Sequence, residues 1–460
     1  MKNMTLENIA HAVSGQLFFD KTEEMQSEIT GVVTDNRQIQ SGNLFVPIVG
    51  ARVDGHTFIP DAYERGAMAV LSQHKLEKPQ GAYILVESTE QALKDLAGFY
   101  RRQLTIPIVG IVGSVGKTST KEMVASVLEE KYQVLKTEGN LNNEIGLPLT
   151  LCKIREEHQV AVVEMGISDF GEMHRLGAIA QPDMVVMTNI GQCHLENLKT
   201  RDGILKAKTE VFEHISPNGC VILNGDDDKL NTVAEAHGAE IIFYGCNEQE
   251  VSADHIENLG LDGMRAQFHT SLGQLTARIF IPGSHNVYNA LAATAVGIRL
   301  GLSVDEIAKG IEGASTIRGR SNFIKVGGAT IIDDCYNANP VSMKASLEVL
   351  SKAQGRTVAV LGDMGELGEE EQQLHYQVGE AVADNHIDVL YTAGTLTAQL
   401  CQAVREQSEQ CEVHEYREVS EMIEGVLKDV QAGDTILVKA SHFMEFPKVV
   451  EAIREHMTAE

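Results

Sequence analysis

A glycine-spaced turn between an apolar run and a helical pattern, at residues 106–120, constrains the fold of this chain more than any other segment. The apolar run at 106–112 predicts a buried strand, and the turn that follows leads into Lys117 and Thr118. Glycines let successive backbone N–H groups converge on one concavity, and the next helix adds its positive N-terminal end. The pattern predicts a phosphate-binding loop in which Lys117 reaches the outer phosphates of a nucleotide and Thr118 binds Mg²⁺.

The glycine spacing of this turn departs from the most common phosphate loop. The pattern G-x-x-x-x-G-K-[ST] requires glycine at position 111, where this chain has Ile111, and the glycines here are Gly110, Gly113 and Gly116. The spacing therefore reduces the number of nucleotide-binding families to which the chain could belong. The alternative is a glycine-rich turn that only joins a strand to a helix.

Length, charge and cysteine usage exclude several classes of protein. A chain of 460 residues suggests roughly three domains. The net charge of −27 argues against a general nucleic-acid binder, because phosphate backbones require a basic face. No stretch approaches the roughly 20 apolar residues that span a bilayer, and the start of the chain lacks the apolar core of a signal peptide. The seven cysteines contain no C-x-x-C pair, which predicts reduced thiols in a cytosolic protein.

The pattern of apolar runs divides the chain into predicted units at 1–86, 87–314 and 315–460. In the second unit, apolar strands alternate with helices, which predicts a parallel sheet covered on both faces, while 252–281 reads as exposed antiparallel strands. The third unit repeats the alternation without a G-x-G-x-x-G segment. The predicted fold class is α/β with three domains: a central phosphate-loop ATPase domain with a parallel sheet and a C-terminal Rossmann-like domain.

Polar residues stand where buried strands of the second unit end. Glu164 follows the run Val160–Val163, and His194 lies just after the run Met184–Met187. Ligands of open α/β sheets bind at the carboxyl ends of the strands, so both residues are expected beside the phosphate loop. Glu164 is interpreted as a second Mg²⁺ anchor, although a lone acid there is often only a helix cap. A lone histidine is more often structural, and a solvated helix is the alternative for the basic segment around Lys208.

Together these segments resemble the Mur ligase family, the ATP-dependent amide ligases of cell-wall precursor synthesis. The family's loop G-x-x-G-K-T is matched at Gly113–Thr118, and its acid after the next buried strand is matched by Glu164. Its catalytic histidine is matched by His194. Lys208 matches the lysine of A-K-x-x-[IV]-[FY], which is carbamylated in family members, and Gly283–Asn289 matches the adenine-side pattern G-x-H-N-x-x-N.

The flanking regions match motifs of one branch of that family, so the resemblance covers essentially the whole chain. Thr137–Gly146 resembles its substrate loop, Asp333–Pro340 its D-D-x-Y-N-A-N-P signature and Gly362–Gly368 its G-D-M-x-E-L-G segment. Two positions depart from the pattern. Asn36 stands where T-D-S-R has serine, and His442 stands where K-[GA]-S-R has an arginine. An anion contact at His442 would depend on pH, because histidine, unlike arginine, is not permanently charged.

The resemblance implies a role for each matched residue. The catalytic residues would be Lys117, His194 and Lys208. Two Mg²⁺ ions would be held by Thr118, Glu164, His194 and carbamylated Lys208. ATP would contact Gly113, Ser114, Val115, Gly116, Lys117, Thr118, Ser119, Asn289, Arg320 and Asp334. The substrates would contact Thr34, Asp35, Arg37, Asn140, Asn142, Asn143, Tyr336, Asn337 and Asn339.

The resemblance also implies the reaction and its partners. ATP would phosphorylate the free carboxylate of a UDP-MurNAc-tripeptide, and the amine of D-alanyl-D-alanine would attack the acyl phosphate to give a pentapeptide, ADP and phosphate. The first unit would bind the UDP-substrate, the second would bind ATP, and the third would bind the dipeptide. We expect a cytoplasmic monomer that binds no nucleic acid and does not span a membrane.

Two alternatives remain. Another amide ligase, such as a folylpolyglutamate synthase or an earlier Mur step, is disfavoured by the match at Asp333–Pro340. A nucleotide-binding switch without ligase chemistry predicts a phosphate loop that lacks the pair His194 and Lys208.

Overall fold

Three sheets follow one another along the chain in the computed structural model, which describes residues 1–19, 25–247 and 249–459. The elements of the first are β1 (Gln16–Phe18), β2 (Gly31–Val33), β3 (Asn43–Phe45), β4 (Ala69–Ser72), β5 (Ala82–Leu85), α1 (Leu6–Ala12) and α2 (Ile59–Glu64). The order is β1-β5-β4-β3-β2, and β1 runs antiparallel to β5 while the other pairs are parallel. The short apolar runs of the sequence at 31–33 and 44–46 form β2 and, with a shift of one residue, β3.

The central sheet begins with β6 (Ile108–Val112), the strand predicted before the phosphate loop. Its other strands are β7 (Val134–Lys136), β8 (Val160–Glu164), β9 (Met184–Met187), β10 (Cys220–Asn224), β11 (Glu240–Gly245), β12 (Val251–Asn258), β13 (Met264–Thr270) and β14 (Gly273–Ile279). Its helices are α3 (Thr89–Arg101), α4 (Lys117–Glu129), α5 (Gly146–Leu151), α6 (Glu172–Ala180), α7 (Leu195–Leu198), α8 (Arg201–Thr209), α9 (His285–Arg299) and α10 (Val304–Gly313). The order β14-β13-β12-β11-β10-β9-β6-β8-β7 places β6 between β8 and β9, and all three strands are parallel.

The antiparallel extension β12–β14 is confirmed, but the expectation that it is exposed is wrong for one of its faces. On β13, the side chains of Met264, Ala266 and Phe268 are buried, and the residues between them are more exposed. The alternation arises because successive side chains of a strand point to opposite faces, and one face here packs onto the apolar core beneath α9.

One apolar core joins the first sheet to the central sheet. It contains Leu44 and Ile84 of the first sheet, Leu93 and Leu96 of α3, and Val163 of β8. The helix α3 begins after Ser88, whose side chain accepts the backbone N–H of Gln91. This helix therefore connects the two sheets both along the chain and by packing.

The third sheet has apolar cores of its own on its two faces. Its strands are β15 (Asn322–Val326), β16 (Ala329–Asp333), β17 (Thr357–Gly362), β18 (Val389–Ala393), β19 (Glu412–Tyr416) and β20 (Thr435–Lys439). Its helices are α11 (Pro340–Leu350), α12 (Glu371–Asp384), α13 (Thr397–Gln407), α14 (Val419–Asp429) and α15 (Pro447–Ala459). The order β15-β16-β20-β17-β18-β19 is parallel except at β15, and the predicted Rossmann-like arrangement is confirmed. Among the described helices, none is both long and apolar enough to cross a membrane.

Candidate active site

The loop after β6 has the predicted strand–turn–helix form. Gly113 and Gly116 adopt φ values of 152° and 82°, which residues with a Cβ rarely adopt. A Cβ on Gly113 would lie 1.9 Å from Thr188 Oγ1, so only glycine fits. The helix α4 begins at Lys117, whose Nζ donates to the Gly113 carbonyl oxygen at 2.9 Å. The Lys117 side chain therefore lies over the loop in which it is expected to contact phosphate.

Glu164 ends β8 beside this loop, as the strand order requires. Its Oε2 accepts the Thr118 hydroxyl at 3.0 Å, and its Oε1 accepts Asn142 Nδ2 at 2.8 Å. The side chain is buried, and both partners are neutral. A buried carboxylate next to a hydroxyl is the kind of oxygen donor set that Mg²⁺ prefers.

Lys208 lies in α8 with 1% of its surface exposed. The pKa of its amine is lowered to about 8, chiefly by burial; the Cys193 thiol opposes this shift, and the nearby charge of Lys117 contributes to it. Burial disfavours the charged form of an amine unless a counter-ion is close. A substantial share of Lys208 is therefore neutral near pH 7–8, in the form that can react as a nucleophile.

His194 precedes α7 with a φ of 51°, in the left-handed region. Its Nδ1 lies 2.6 Å from Oε2 of Glu366, which comes from the loop after β17 of the third sheet. Glu366 also has a positive φ, 60°. The imidazole lowers the pKa of the Glu366 carboxyl, mainly through this side-chain contact. His194 is thus a point at which the central and third sheets meet.

A cavity of about 180 Å³ lies on the other side of the phosphate loop, between α9 and α11. Asn289 lines it, and its amide is held by two side chains: Oδ1 accepts the Thr120 hydroxyl at 2.8 Å, and Nδ2 donates to Asn286 Oδ1 at 2.8 Å. Thr118, Tyr288, Arg320 and Asp334 also line this cavity. Its position beside the loop suits the base end of a nucleotide, as predicted for Asn289.

Asp334 of the third sheet is engaged by its own neighbours. Its Oδ2 lies 2.5 Å from Lys439 Nζ and accepts the Ser346 hydroxyl at 2.7 Å, while its Oδ1 accepts the Ser321 backbone N–H at 3.0 Å. Burial by itself would raise the pKa of the Asp334 carboxyl, but Lys439 reverses the sign and the pKa is lowered. The expected nucleotide contact of Asp334 would therefore compete with a complete set of internal partners.

The remaining residues of the third-sheet signature form the opposite wall. The Arg320 guanidinium lies over the Tyr336 ring at 4.0 Å, and the His442 ring lies 5.6 Å from that ring. Asn337 and Asn339 both line the cleft. Asn339 also caps α11, because its side chain accepts the Ser342 N–H at 2.9 Å. Arg320 faces every cavity described along the cleft, which suits a cation that contacts several anionic groups.

Two further cavities join the walls around Lys117. One, of about 360 Å³, lies between the phosphate loop and the third sheet and is lined by Ser114, Val115, Gly116, Lys117, Thr118, Glu164, His194, Arg320, Asn337, Asn339, Glu366 and His442, among others. The second, of about 410 Å³, extends towards Asn142, Asn143 and Tyr336. Together with the cavity of Asn289 and Ser119, these place most of the predicted ATP, metal and substrate residues around one cleft.

Four predicted substrate residues do not line these cavities. Asn140 is exposed, and Thr34, Asp35 and Arg37 lie at the end of β2 in the first sheet. The Asp35 carboxylate pairs with Arg37 at 2.7 Å, and the Arg37 side chain is 81% exposed. Their expected contacts therefore depend on a substrate long enough to reach from the cleft to the first sheet.

Sequence reasoning missed the contacts made by Glu366 and Ser346. Glu366 lies in the matched G-D-M-x-E-L-G segment, so the motif signalled its loop but not its partner His194. Ser346 lies within α11, and no local pattern marks its bond to Asp334. Outside the cleft, His174, Glu213 and His214 form a cluster of potential metal ligands, but these side chains are partly or largely exposed and contact one another.

Models of the Mur ligase family match the chain in three successive parts. The model described as the Mur ligase family, catalytic domain, matches residues 28–101. The Mur ligase middle domain matches 111–297, and the model described as Mur ligase, glutamate ligase domain, matches 319–442. The three matched parts contain the three sheets except for β1 and the start of β6.

Individual relatives are similar over nearly the whole chain. The UDP-N-acetylmuramoyl-tripeptide--D-alanyl-D-alanine ligase of Bacillus subtilis is 37% identical over 462 residues, which cover 99% of each chain. A crystal structure of MurF from Acinetobacter baumannii is similar with a TM-score of 0.88 at 33% identity, covering 98% of each chain. The crystal structure of MurF ligase from Thermotoga maritima in complex with ADP has a TM-score of 0.82 at 29% identity, covering 93% of this chain and 98% of that one.

Proposed function

The chain belongs to the Mur ligase family, and we propose that it joins D-alanyl-D-alanine to a UDP-MurNAc-tripeptide while converting ATP to ADP and phosphate. The observation that carries this proposal is the arrangement of one cleft. Lys117, Glu164 and His194 on the central wall face Arg320 and Asn337 on the third-sheet wall. Such a cleft can hold a nucleotide, a carboxylate and an amine close together, as a two-step ligation requires.

In the first step, a carboxylate oxygen of the tripeptide attacks the γ-phosphorus of ATP. The bond between that phosphorus and the β–γ bridging oxygen breaks, so that ADP leaves and an acyl phosphate forms. All reacting groups are anionic, and their mutual repulsion must be offset. Lys117 lies on the loop itself and Arg320 lies across the cleft, so the two cations would flank the phosphates.

Mg²⁺ is the metal that the donor set around the loop suits. The Thr118 hydroxyl and the buried Glu164 carboxylate would hold it, and His194 and Lys208 would serve a second ion. When bound, the metal supplies positive charge to the phosphates. Asn142 would keep the Glu164 carboxylate oriented, because it already donates to Oε1.

Lys208 would contribute as a carbamate. An amine with a pKa of about 8 is partly unprotonated near neutral pH, and the unprotonated form can combine with CO₂. The product is a carbamate, so the side chain changes from a cation to an oxygen ligand. Its place beside Lys117 also favours the change, since an anion there would replace the repulsion between two ammonium groups by attraction.

In the second step, the free amine of D-alanyl-D-alanine attacks the acyl carbon. The bond from that carbon to the phosphate oxygen breaks, the nitrogen loses a proton, and an amide and inorganic phosphate result. Tyr336, Asn337 and Asn339 would line the approach of the dipeptide from the third sheet. Closure of that sheet over the loop would exclude water, which otherwise hydrolyses the acyl phosphate.

Within this proposal, each of the three sheets belongs to a unit that binds one of the three substrates. Residues 1–86 would bind the UDP-substrate through Thr34, Asp35 and Arg37, residues 87–314 would bind ATP, and residues 315–460 would bind the dipeptide. The UDP end of the substrate would extend from the cleft past Asn140 to the first sheet. Within this proposal the enzyme is a cytoplasmic monomer that acts on small molecules.

The test is product formation by the purified full-length chain with Mg²⁺-ATP and UDP-MurNAc-tripeptides carrying lysine or diaminopimelate at the third position. A pentapeptide and ADP should form only when D-alanyl-D-alanine is added. Free D-alanine should be a poor substitute, because a site built for a dipeptide carboxylate would keep unpaired polar groups.

Other products would overturn the proposal. AMP with pyrophosphate would place the attack at a different phosphorus, and equal activity with free D-alanine would remove the dipeptide site. Slow ATP hydrolysis that ignores both substrates would indicate a nucleotide switch, and glutamate addition to a folate would indicate the other kind of amide ligase.

A further inference from the structure

The contact between His194 and Glu366 joins two backbone segments that both adopt uncommon conformations. Each residue has a Cβ and a positive φ, 51° and 60°, and the side chains approach to 2.6 Å across the cleft. Such conformations persist only where the surrounding structure determines them, and they concentrate at functional sites. Two of them opposite each other call for a reason.

The start of the loop that carries Glu366 is held by residues of the third sheet and its helices. At its start, the Asp363 carboxylate accepts backbone N–H groups of 395–397, at the beginning of α13. The Met364 N–H donates to the buried ring of His375 at 2.9 Å, and the Gly365 N–H donates to the Ser441 hydroxyl at 2.9 Å. Residues 363–365, which precede Glu366, are therefore held by hydrogen bonds that do not involve His194.

The segment that carries His194 touches the same loop at two more points. Leu195 packs against the apolar core of the third sheet that contains Met364 and Leu367. A Cβ on Gly368 would lie 3.5 Å from the backbone nitrogen of Glu196, so the two backbones run close together. We call these two segments, 194–196 and 366–368, the latch.

The orientation of the His194 ring links the latch to the phosphate loop. His194 Nδ1 lies 2.6 Å from Glu366 Oε2, an ion-pair approach whose angles are not those of a hydrogen bond, and His194 lines the cleft together with Thr118 and Glu164. A carboxylate beside one ring nitrogen fixes both the tautomer and the orientation of an imidazole. The Glu366 side chain is 61% exposed, and an ion pair this open contributes little to stability.

We propose that Glu366 is a positioning residue that orients His194 towards the phosphate loop only when the third sheet is docked on the central sheet. The inference deepens the proposed function and rests on it. Closure of the cleft and assembly of the catalytic histidine become one event, because the group that orients the histidine arrives with the other wall. Without the third sheet in place, the loop would hold ATP beside a histidine of undefined orientation, which limits unproductive hydrolysis.

The test compares Glu366→Ala and Glu366→Gln with Glu369→Ala, which removes an exposed carboxylate from the same region without touching His194. Glu366→Ala should lower kcat by about 10–100-fold, the range found when the outer partner of a metal-binding histidine is removed. KM for ATP should change little. Glu366→Gln should retain part of the activity, because it keeps the length of the side chain and an oxygen beside the ring while it loses the charge. Glu369→Ala should behave as the wild type.

Amide hydrogen exchange supplies a readout that does not depend on turnover. In the ligand-free full-length protein, the amides of 195–199 should exchange faster in Glu366→Ala than in the wild type, and should be unchanged in Glu369→Ala. A double variant tests whether Glu366 acts through His194. In a His194→Ala background, adding Glu366→Ala should produce no further change in kcat.

The outcomes separate this inference from the function on which it rests. An active wild type whose kcat and exchange are both insensitive to Glu366→Ala would overturn the positioning role and leave the ligase intact. Further loss of kcat in the double variant would overturn it as well, since Glu366 would then act through another group. A wild type without ligase activity that still shows the change in exchange would remove the proposed function and retain only the contact.

Discussion

The two walls of the cleft hold their buried charges in opposite ways. On the central wall, the carboxylate of Glu164 is bonded to neutral groups, and behind it Lys208 is buried where the charge of Lys117 lowers its pKa. On the third-sheet wall, Asp334 and Lys439 neutralise each other at 2.5 Å. The same burial therefore lowers the pKa of the Lys208 amine to about 8, while the Asp334 carboxyl has a lowered pKa because its counter-ion outweighs burial.

The difference teaches which charges are available to ligands. A buried charge without an internal counter-ion is costly to the fold, so its retention indicates that a ligand supplies the missing partner. A buried charge with a close counter-ion and additional hydrogen bonds is already used in holding its wall together. By this reasoning the central wall is built for chemistry and the Asp334–Lys439 pair is built for structure.

The largest expected effect concerns the paired wall. Lys439→Met should lower the free energy of unfolding by about 3–5 kcal/mol, because it leaves the Asp334 carboxylate buried without its counter-ion. Chemical denaturation measured beside Lys325→Met, an exposed lysine of the same sheet, checks it. If the stability of Lys439→Met stayed within about 0.5 kcal/mol of the wild type, the two walls would not differ as described.

The next effect concerns the central wall, where we expect a large change in activity and little change in stability. Lys117→Ala should reduce kcat by about 10²–10³-fold, the cost of losing one electrostatic contact to the transition state. Its unfolding midpoint should stay close to that of the wild type, because Lys117 Nζ makes only backbone carbonyl contacts that water can replace. Steady-state kinetics and thermal unfolding on one preparation measure both. Full activity in this variant would remove the phosphate-loop assignment.

The smallest expected effect sharpens the interpretation of Lys208. Lys208→Ala should lose activity, and a small added carboxylate such as acetate should raise the residual rate about tenfold, since an untethered ligand must be ordered each time it binds. Lys208→Arg should gain nothing from acetate, because its charge occupies the position of the carbamate. Lys206→Ala, an exposed neighbour on the same helix, serves as the control. An active preparation whose Lys208 amine is unmodified would contradict the role.

The sequence was sufficient where function is built from one stretch of chain. The apolar run, the turn and the start of α4 at Lys117 were all predicted, because glycine geometry and helix dipoles act locally. The strand order then confirmed that Glu164 flanks the loop, which follows from parallel strands ending at one edge.

Partners that come from distant parts of the chain were not predictable in this way. The motif containing Asp334 suggested a ligand contact, yet Lys439 and Ser346 already occupy its oxygens. The match around Glu366 carried no sign of His194, because that contact exists only after two sheets have packed together. The edge strands β15 and β19 were missed as well, since neither is the continuous apolar run that marks the buried strands.

The core shared by the first and central sheets has a consequence for how the chain is made. During synthesis the first sheet leaves the ribosome before its packing partners, so Leu44 and Ile84 have no complete core until α3 and β8 follow. The first two sheets must therefore mature as one folding unit, and a nascent chain halted near residue 86 would present apolar surface to chaperones. The third sheet, with cores of its own on both faces, can fold afterwards as an independent unit.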